Sequence, residues 1–459
     1  MKANQSLSVG YARVDITPEE SVPLAGYGNS MQRLSQGVLD PLYATCIAIT
    51  DSDGHSVLLC TVDLINTVDS YCIPARDAIS KKYGISRECV VISATHTHSA
   101  PDLLTQEYPP IARYTAQLVD KLTAAAGEAL ANRKPATMQG GHTHTDGMNF
   151  VRHYILENGT YAGDNFGDFG SAPIREHVSE ADRQIQMVKF CREDAKDILM
   201  VNWQAHPTKA STGVTEYGRK NRPYISADFP GACRSYVEEK TNMHFAYFQG
   251  ACGNINSRSY IKQEAGVQEH IPYGQQLGDY IVEGLNHLKP MEPGLVTAKE
   301  TVHSGPVNHT QNHLIPYAEE IVKLWKETND LKLCCAKART YGINSPYHAG
   351  AIIRKAGMSG QLQLVLGAGH IGDLGFAVLP YEVFDTNGKY IKDHAPFPMT
   401  FILENANGAN NYIPSRRGFE HGCYEADSCD FLPGTGEKAV DASLALLNQL
   451  YQGQNDHEI

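Results

Sequence analysis

Short β-branched and apolar runs bounded by turn residues alternate along this chain with longer stretches whose apolar positions recur at helical spacing. Residues 44–50 and 56–63 read as strands around the turn Asp51-Ser52-Asp53-Gly54, a hairpin signal. Residues 70–83 read as a helix, 89–94 as a strand and 111–132 as a long amphipathic helix. Strands follow at 185–190, Ile198–Trp203 and His244–Gln249, with a helix at Asp228–Thr241 between the last two. A helix at 275–288 precedes a strand at 295–302. Between 307 and 359 the texture changes. A charged helix at 316–327 leads into a Lys-, Tyr- and His-bearing stretch without a clear period, which leaves open whether this segment forms a lid. Strands return at 361–366 and Leu374–Leu379, followed by helices at 382–392 and 437–452. The pattern predicts a mixed α/β chain, with a central mixed sheet flanked by helices. There is no internal repeat, so 1–459 reads as a single catalytic domain. A subdivision into a 1–305 core and a 306–459 C-terminal part is the alternative.

Composition narrows the partners. Of 459 residues, 42% are hydrophobic and 20% charged, ordinary for a folded domain. A formal net charge of −12 with no basic run argues against a nucleic-acid partner and against docking on anionic membranes. No segment approaches the roughly 20 apolar residues that cross a bilayer, and the first residues carry no leader-like apolar stretch. Eleven scattered cysteines, several inside apolar runs, fit buried reduced thiols better than a disulfide framework. A cytoplasmic location and a small-molecule substrate are therefore expected.

The candidate chemistry sits at strand ends. Val90–Ala94 runs into Thr95-His96-Thr97-His98-Ser99-Ala100-Pro101, delivering two imidazoles where open α/β sheets build their sites. Alternate strand residues share a face, so His96 and His98 can point into one pocket. Asn202-Trp203-Gln204-Ala205-His206-Pro207 follows a second apolar run, and Phe376 to Glu382 brings a carboxylate to a third. The loop Asn407-Gly408-Ala409-Asn410-Asn411-Tyr412 presents a phenol. Two imidazoles and one carboxylate form a common catalytic zinc set with a position open for water. Each residue also has a plain structural role open to it. His206 could satisfy a buried carbonyl, Glu382 could be the first-turn acid of a helix, and Tyr412 could be a packed aromatic. The small-residue loop 248–257, with Asn256, suits close backbone approach to a ligand or a simple turn. Arg152, set among aromatics at 148–154, could face an anion or lie at the surface.

These segments together resemble the catalytic domain of the neutral ceramidase family. The resemblance rests on Gly10-Tyr11-Ala12-Arg13-Val14-Asp15-Ile16-Thr17-Pro18, Gly26-Tyr27-Gly28 with Asp40-Pro41-Leu42, and Ser93-Ala94-Thr95-His96-Thr97-His98-Ser99. It continues through 203–208, Leu379-Pro380-Tyr381-Glu382, and Tyr412 with Tyr424-Glu425. It implies a zinc amidohydrolase with His96, His206, Glu382 and Tyr412 as ligands, and with His98, Arg152 and Tyr424 facing the substrate carbonyl and developing oxyanion. Where the family has Gly-Asp-Val-Ser-Pro-Asn, this chain reads Gly253-Asn254-Ile255-Asn256-Ser257-Arg258. Asn256 thus stands in place of a serine. A second family tyrosine is replaced near His421, and no counterpart of the family's C-terminal β-sandwich is expected.

The resulting expectation is a Zn²⁺-dependent, ceramidase-like hydrolase cleaving an amide or related bond in a small polar substrate by attack of metal-bound water. Asn256 would contact the leaving portion or a polar substrate group. Two alternatives are a metal-dependent isomerase or lyase acting on a sugar-like hydroxy-carbonyl, with His98 as base, and a non-catalytic metal- or ligand-binding descendant.

Overall fold

The computed structural model describes residues 6–28, 30–163, 172–210, 223–261 and 269–456. Nine strands form the first sheet: β1 (Leu7–Asp15), β2 (Tyr43–Thr50), β3 (Ser56–Val62), β4 (Val90–Ala94), β5 (Lys134–His144), β6 (Gln184–Arg192), β7 (Ile198–Trp203), β8 (His244–Gln249) and β9 (Lys289–Met291). Their order is β8-β7-β6-β5-β1-β2-β3-β4, with β9 added on β5. Neighbours are antiparallel except at the two edges, where β7 runs parallel to β8 and β3 parallel to β4. A second sheet joins β10 (Val296–Pro306), β11 (Gln361–Ile371), β12 (Leu374–Leu379) and β13 (Met399–Glu404) in sequence order, the last pair parallel.

Continuous apolar runs are explained by burial on both faces. In β7, Leu199, Val201 and Trp203 point one way into a cluster under α3 (Asp228–Thr241) and α4 (His270–Gly284). Ile198 and Met200 point the other way, into a cluster shared with Leu374, Phe376 and Val378 of β12. At the opposite edge, Leu58, Cys60 and Ile92 face α1 (Asp69–Tyr83) and α2 (Pro109–Ala131), while Leu59 and Val91 join the shared cluster. The far face of β12 packs Ala377 and Leu379 under α11 (Thr435–Asp456) and α8 (Asp385–His394), with α9 (Arg416–His421) and α10 (Tyr424–Ser428) between them along the chain. The result is four layers: helices, sheet, sheet, helices.

Between β10 and β11, α5 (Ile315–Thr328), α6 (Leu331–Arg339) and α7 (Pro346–Ala356) enclose their own small core of Ala318, Ile321, Ala338, Ile343, Ala349 and Ile352. The aperiodic reading of the second half of this segment is corrected: both α6 and α7 lie there. Each is short, but each carries a start signal, Asp330 accepting from the Leu333 amide and Ser345 from the His348 amide ahead of Pro346. The helix expected from 382 begins only at Asp385. Glu382–Val383 instead pairs in parallel with Tyr412–Ile413, so Glu382 is no first-turn acid.

Candidate metal-binding active site

The carboxyl ends of the parallel pairs β3/β4, β7/β8 and β12/β13 converge. His96 follows β4 with a left-handed φ of 70°, and its backbone amide bonds Leu64 O at 2.9 Å. Such a backbone is costly for a non-glycine residue and fixes the ring inward. His206 follows β7, and its amide bonds Ile255 O at 3.0 Å. Pro207 O accepts from the His98 amide at 3.1 Å, tying the two histidine segments together.

Both rings are oriented from behind. His96 Nδ1 lies 2.6 Å from Ile65 O and His206 Nδ1 3.0 Å from Ile255 O. A carbonyl only accepts, so each Nδ1 carries the proton and each Nε2 turns a lone pair inward. These Nε2 atoms lie 3.4 and 3.3 Å from the same oxygen, Oε2 of Glu382. Among the described residues, His206 Nε2 and Glu382 Oε2 are buried with no hydrogen-bond partner. Three acceptor atoms thus meet around one point, which asks for a cation. The electrostatics agree. Burial works to lower the His96 ring and raise the Glu382 carboxyl, yet their mutual attraction reverses both, holding His96 up and Glu382 well below its ordinary value. His206, with burial and Arg152 acting together, is pushed down to about 4 and stays neutral.

Tyr412 is the direct cross-strand partner of Glu382, which places phenol and carboxylate side by side. Its hydroxyl accepts from Arg152 Nη2 at 3.3 Å. Burial and the Glu382 charge push the phenol well up, against the pull of Arg152. Tyr424 sits edge-on to Tyr412, ring centroids 5.6 Å apart, and burial raises it to about 12. His98 Nε2 is 3.4 Å from His96 Nε2. Burial, then the other two imidazoles, push its ring well down, so it is neutral. Gly26, at φ +99°, presses on that ring: a Cβ there would stand 2.4 Å from His98 Nδ1. Asn256 lies one residue beyond the carbonyl that holds His206, paired in register with Phe150 and buried.

All eight expected site residues therefore fall in one region, but Arg152 is more committed than its sequence context implied. Its Nε donates to Glu425 Oε1 at 2.6 Å and its Nη2 to Gly253 O at 2.9 Å. The other oxygen of Glu425 lies 2.9 Å from His153 Nε2. Burial alone would raise the Glu425 carboxyl; Arg152 and His153 hold it well below its ordinary range. Glu425 was legible only as the neighbour of Tyr424.

Glu404 is not singled out by the sequence, and Cys252 is there only as a member of the small-residue loop 248–257. Cys252 Sγ comes within ligand distance of His96 and His206, but the thiol donates to Glu404 Oε1 at 2.8 Å. Burial and Glu404 push it well up, so it keeps its proton and ranks below Glu382 as a ligand. Glu404 Oε2 accepts from the Cys252 and Val383 amides at 3.0 and 2.9 Å, and burial lifts this carboxyl to about 8. It pins Glu382's segment from behind. The only available signal was its place at the end of the apolar run 399–404, a strand the periodicity did not bring out.

A layered α/β/β/α body with an imidazole–carboxylate pocket at its strand ends has solved counterparts among ceramidases. Neutral ceramidase from Pseudomonas aeruginosa superposes with a TM-score of 0.69 at 15% identity, covering 98% of this chain and 75% of that one. A ceramidase complexed with C2 gives 0.70 at 15% identity, over 98% and 76%. Residues 7–256 match the family described as neutral/alkaline non-lysosomal ceramidase, N-terminal, and the chain belongs to that family. A separate likeness, 25% identity over 154 residues, links it to UvrABC system protein C of Methanosarcina mazei. That stretch is 31% of this chain and 29% of that protein, so the chain spans less than a third of that relative's length. Membership of that family favours a ceramidase-type hydrolase over the isomerase and non-catalytic alternatives. Among the described residues no helix is long and apolar enough to cross a membrane.

Proposed function

We propose that this protein is a zinc-dependent amidohydrolase that cleaves an N-acyl bond in a small polar molecule. The observation that carries the reading is the meeting of His96 Nε2, His206 Nε2 and Glu382 Oε2 with their lone pairs inward, Tyr412 beside them. These four residues would hold the ion, which when bound supplies Lewis-acid polarisation of the scissile carbonyl and acidifies a water.

The rest is done by side chains. His98, neutral and facing the ligand set, takes a proton from the attacking water and returns it to the leaving nitrogen. Arg152 and Tyr424 form the donor wall where negative charge develops on the carbonyl oxygen, a single such donor contributing roughly 3 kcal/mol. Asn256 cannot act as a nucleophile; it hydrogen-bonds the polar portion of the substrate. Eleven cysteines with no disulfide among the described residues support a reducing, cytoplasmic setting, and the core shared by both sheets supports treating 1–459 as one catalytic unit.

Metal analysis and turnover on an amide panel test this. About one zinc per chain should be bound, and both Glu382→Gln and exhaustive chelation should abolish hydrolysis, with zinc restoring it to the chelated wild type. Undiminished hydrolysis after complete metal removal would overturn the reading.

A further inference from the structure

The helical unit α5–α7 is fastened to both walls of the pocket. On one side it grips α10 (Tyr424–Ser428) and the loop after it. Asn344 Nδ2 donates to Asp427 Oδ2 at 2.7 Å, Arg354 to Ser428 O at 2.9 Å and Asp430 Oδ1 at 2.7 Å, and Lys355 Nζ to Asp427 O at 3.3 Å. On the other side Asn329 Nδ2 donates to Gln32 Oε1 at 2.9 Å, in the segment that carries Gly26 and Tyr27 against His98.

One side chain of the unit reaches both walls. The Tyr347 ring stands perpendicular to Tyr424, centroids 6.5 Å apart, and Tyr424 in turn contacts Tyr412. Its hydroxyl lies 3.1 Å from where a Cβ of Gly28 would be, two residues past the glycine that abuts His98. Trp325 of α5 backs the ring at 6.1 Å. The ring therefore bridges from the phenol wall beside Glu382 to the His98 wall, held by a helix that cannot retreat without breaking the Asp427 and Asp430 bonds.

We propose that Tyr347 roofs the catalytic pocket and limits acyl length, so that this site takes N-acyl substrates with short acyl groups and rejects long alkyl chains. The substrate class rests on the amidohydrolase reading above; the roof does not. A chain longer than the roof permits must displace an aromatic ring packed on three sides, whereas a short acyl group leaves it in place.

Two measurements keep the readings apart. Calorimetric binding of acetate, butyrate and dodecanoate reports pocket length without turnover. Wild type should prefer butyrate to dodecanoate by roughly tenfold or more, the scale on which a tight pocket rejects misfitting methylenes. Tyr347→Ala should erase that preference, and Tyr347→Phe, which keeps the ring, should preserve it. Tyr347→Leu replaces the alanine variant should the latter not fold. An unchanged butyrate-to-dodecanoate ratio in the truncated variant overturns the roof. Hydrolysis of N-acyl ethanolamines and N-acyl glycines from acetyl to dodecanoyl should follow the same order. Zinc-loaded wild type that shows the binding preference yet cleaves none of these amides overturns the hydrolytic reading and the substrate class, leaving the roof standing.

Discussion

Replacing Glu425 by glutamine should cost more stability than any other single-atom exchange near the pocket. Its carboxylate is fully buried and accepts from Arg152 and His153 at 2.6 and 2.9 Å. The amide keeps the shape but removes the charge that faces the buried Arg152 guanidinium. Losing one partner of a buried pair costs about 3–5 kcal/mol, and the amide's remaining acceptor puts this case near 3 kcal/mol. The pH dependence has a definite sign. The folded-state pKa lies well below the usual carboxylate value, so the stabilisation is present above that value and is lost as pH falls through the acid range. With an ordinary glutamate pKa near 4.3, the gap between wild type and variant should narrow by about 0.6 kcal/mol at pH 4 relative to neutral pH. Urea unfolding at pH 7, 5 and 4 measures all of this. Arg152 also holds Tyr412 and Gly253 O, so turnover should fall with stability. A loss under about 1 kcal/mol at neutral pH, or a gap that widens on acidification, would refute the account of this pair.

Gly26→Ala should fold with reduced stability and turn over poorly while binding zinc normally. Alanine at φ +99° costs about 1–2 kcal/mol, and its Cβ must displace the His98 ring, for which roughly a hundredfold loss in kcat is expected; thermal melts, metal content and kinetics separate the three effects. Asp427→Asn addresses the grip of α7 on α10. Burial raises Asp427 to about 7, so its favourable, protonated state is present in acid and lost as pH rises through neutrality. Asparagine carries no such penalty and can still accept from Asn344, so the variant's stability relative to wild type should increase between pH 5 and 8 in parallel unfolding titrations.

How much was legible depended on how strongly each element is buried. Ile198–Trp203 and His244–Gln249 appear with the bounds their sequence pattern suggests, because strands buried on both faces read as unbroken apolar runs. β5 is hard to read because its alternating buried positions are Ala136, Met138 and Gly140, which give little apolar contrast; over Gly140 Met291 packs so closely that a Cβ would sit 2.1 Å from its sulfur. The histidines could be read from their strand ends. Glu382 could be named as a ligand candidate but not placed, since its two-residue strand exists only because Tyr412–Ile413 lies beside it. Glu404 and Glu425 make their contacts 152 and 273 residues away, to Cys252 and Arg152, and no local period encodes such a pairing.

The parallel bridge between Glu382–Val383 and Tyr412–Ile413 hangs from the second sheet, whereas both imidazoles hang from the first. If these residues hold zinc as proposed, neither half would own the site, and ion affinity would appear only once the two sheets had closed on their common core. Zinc should then act as a latch. A chain emerging from synthesis, or one opened by heat along the seam between the sheets, would release its ion together with the seam, and free zinc in the medium would set how often that opening occurs.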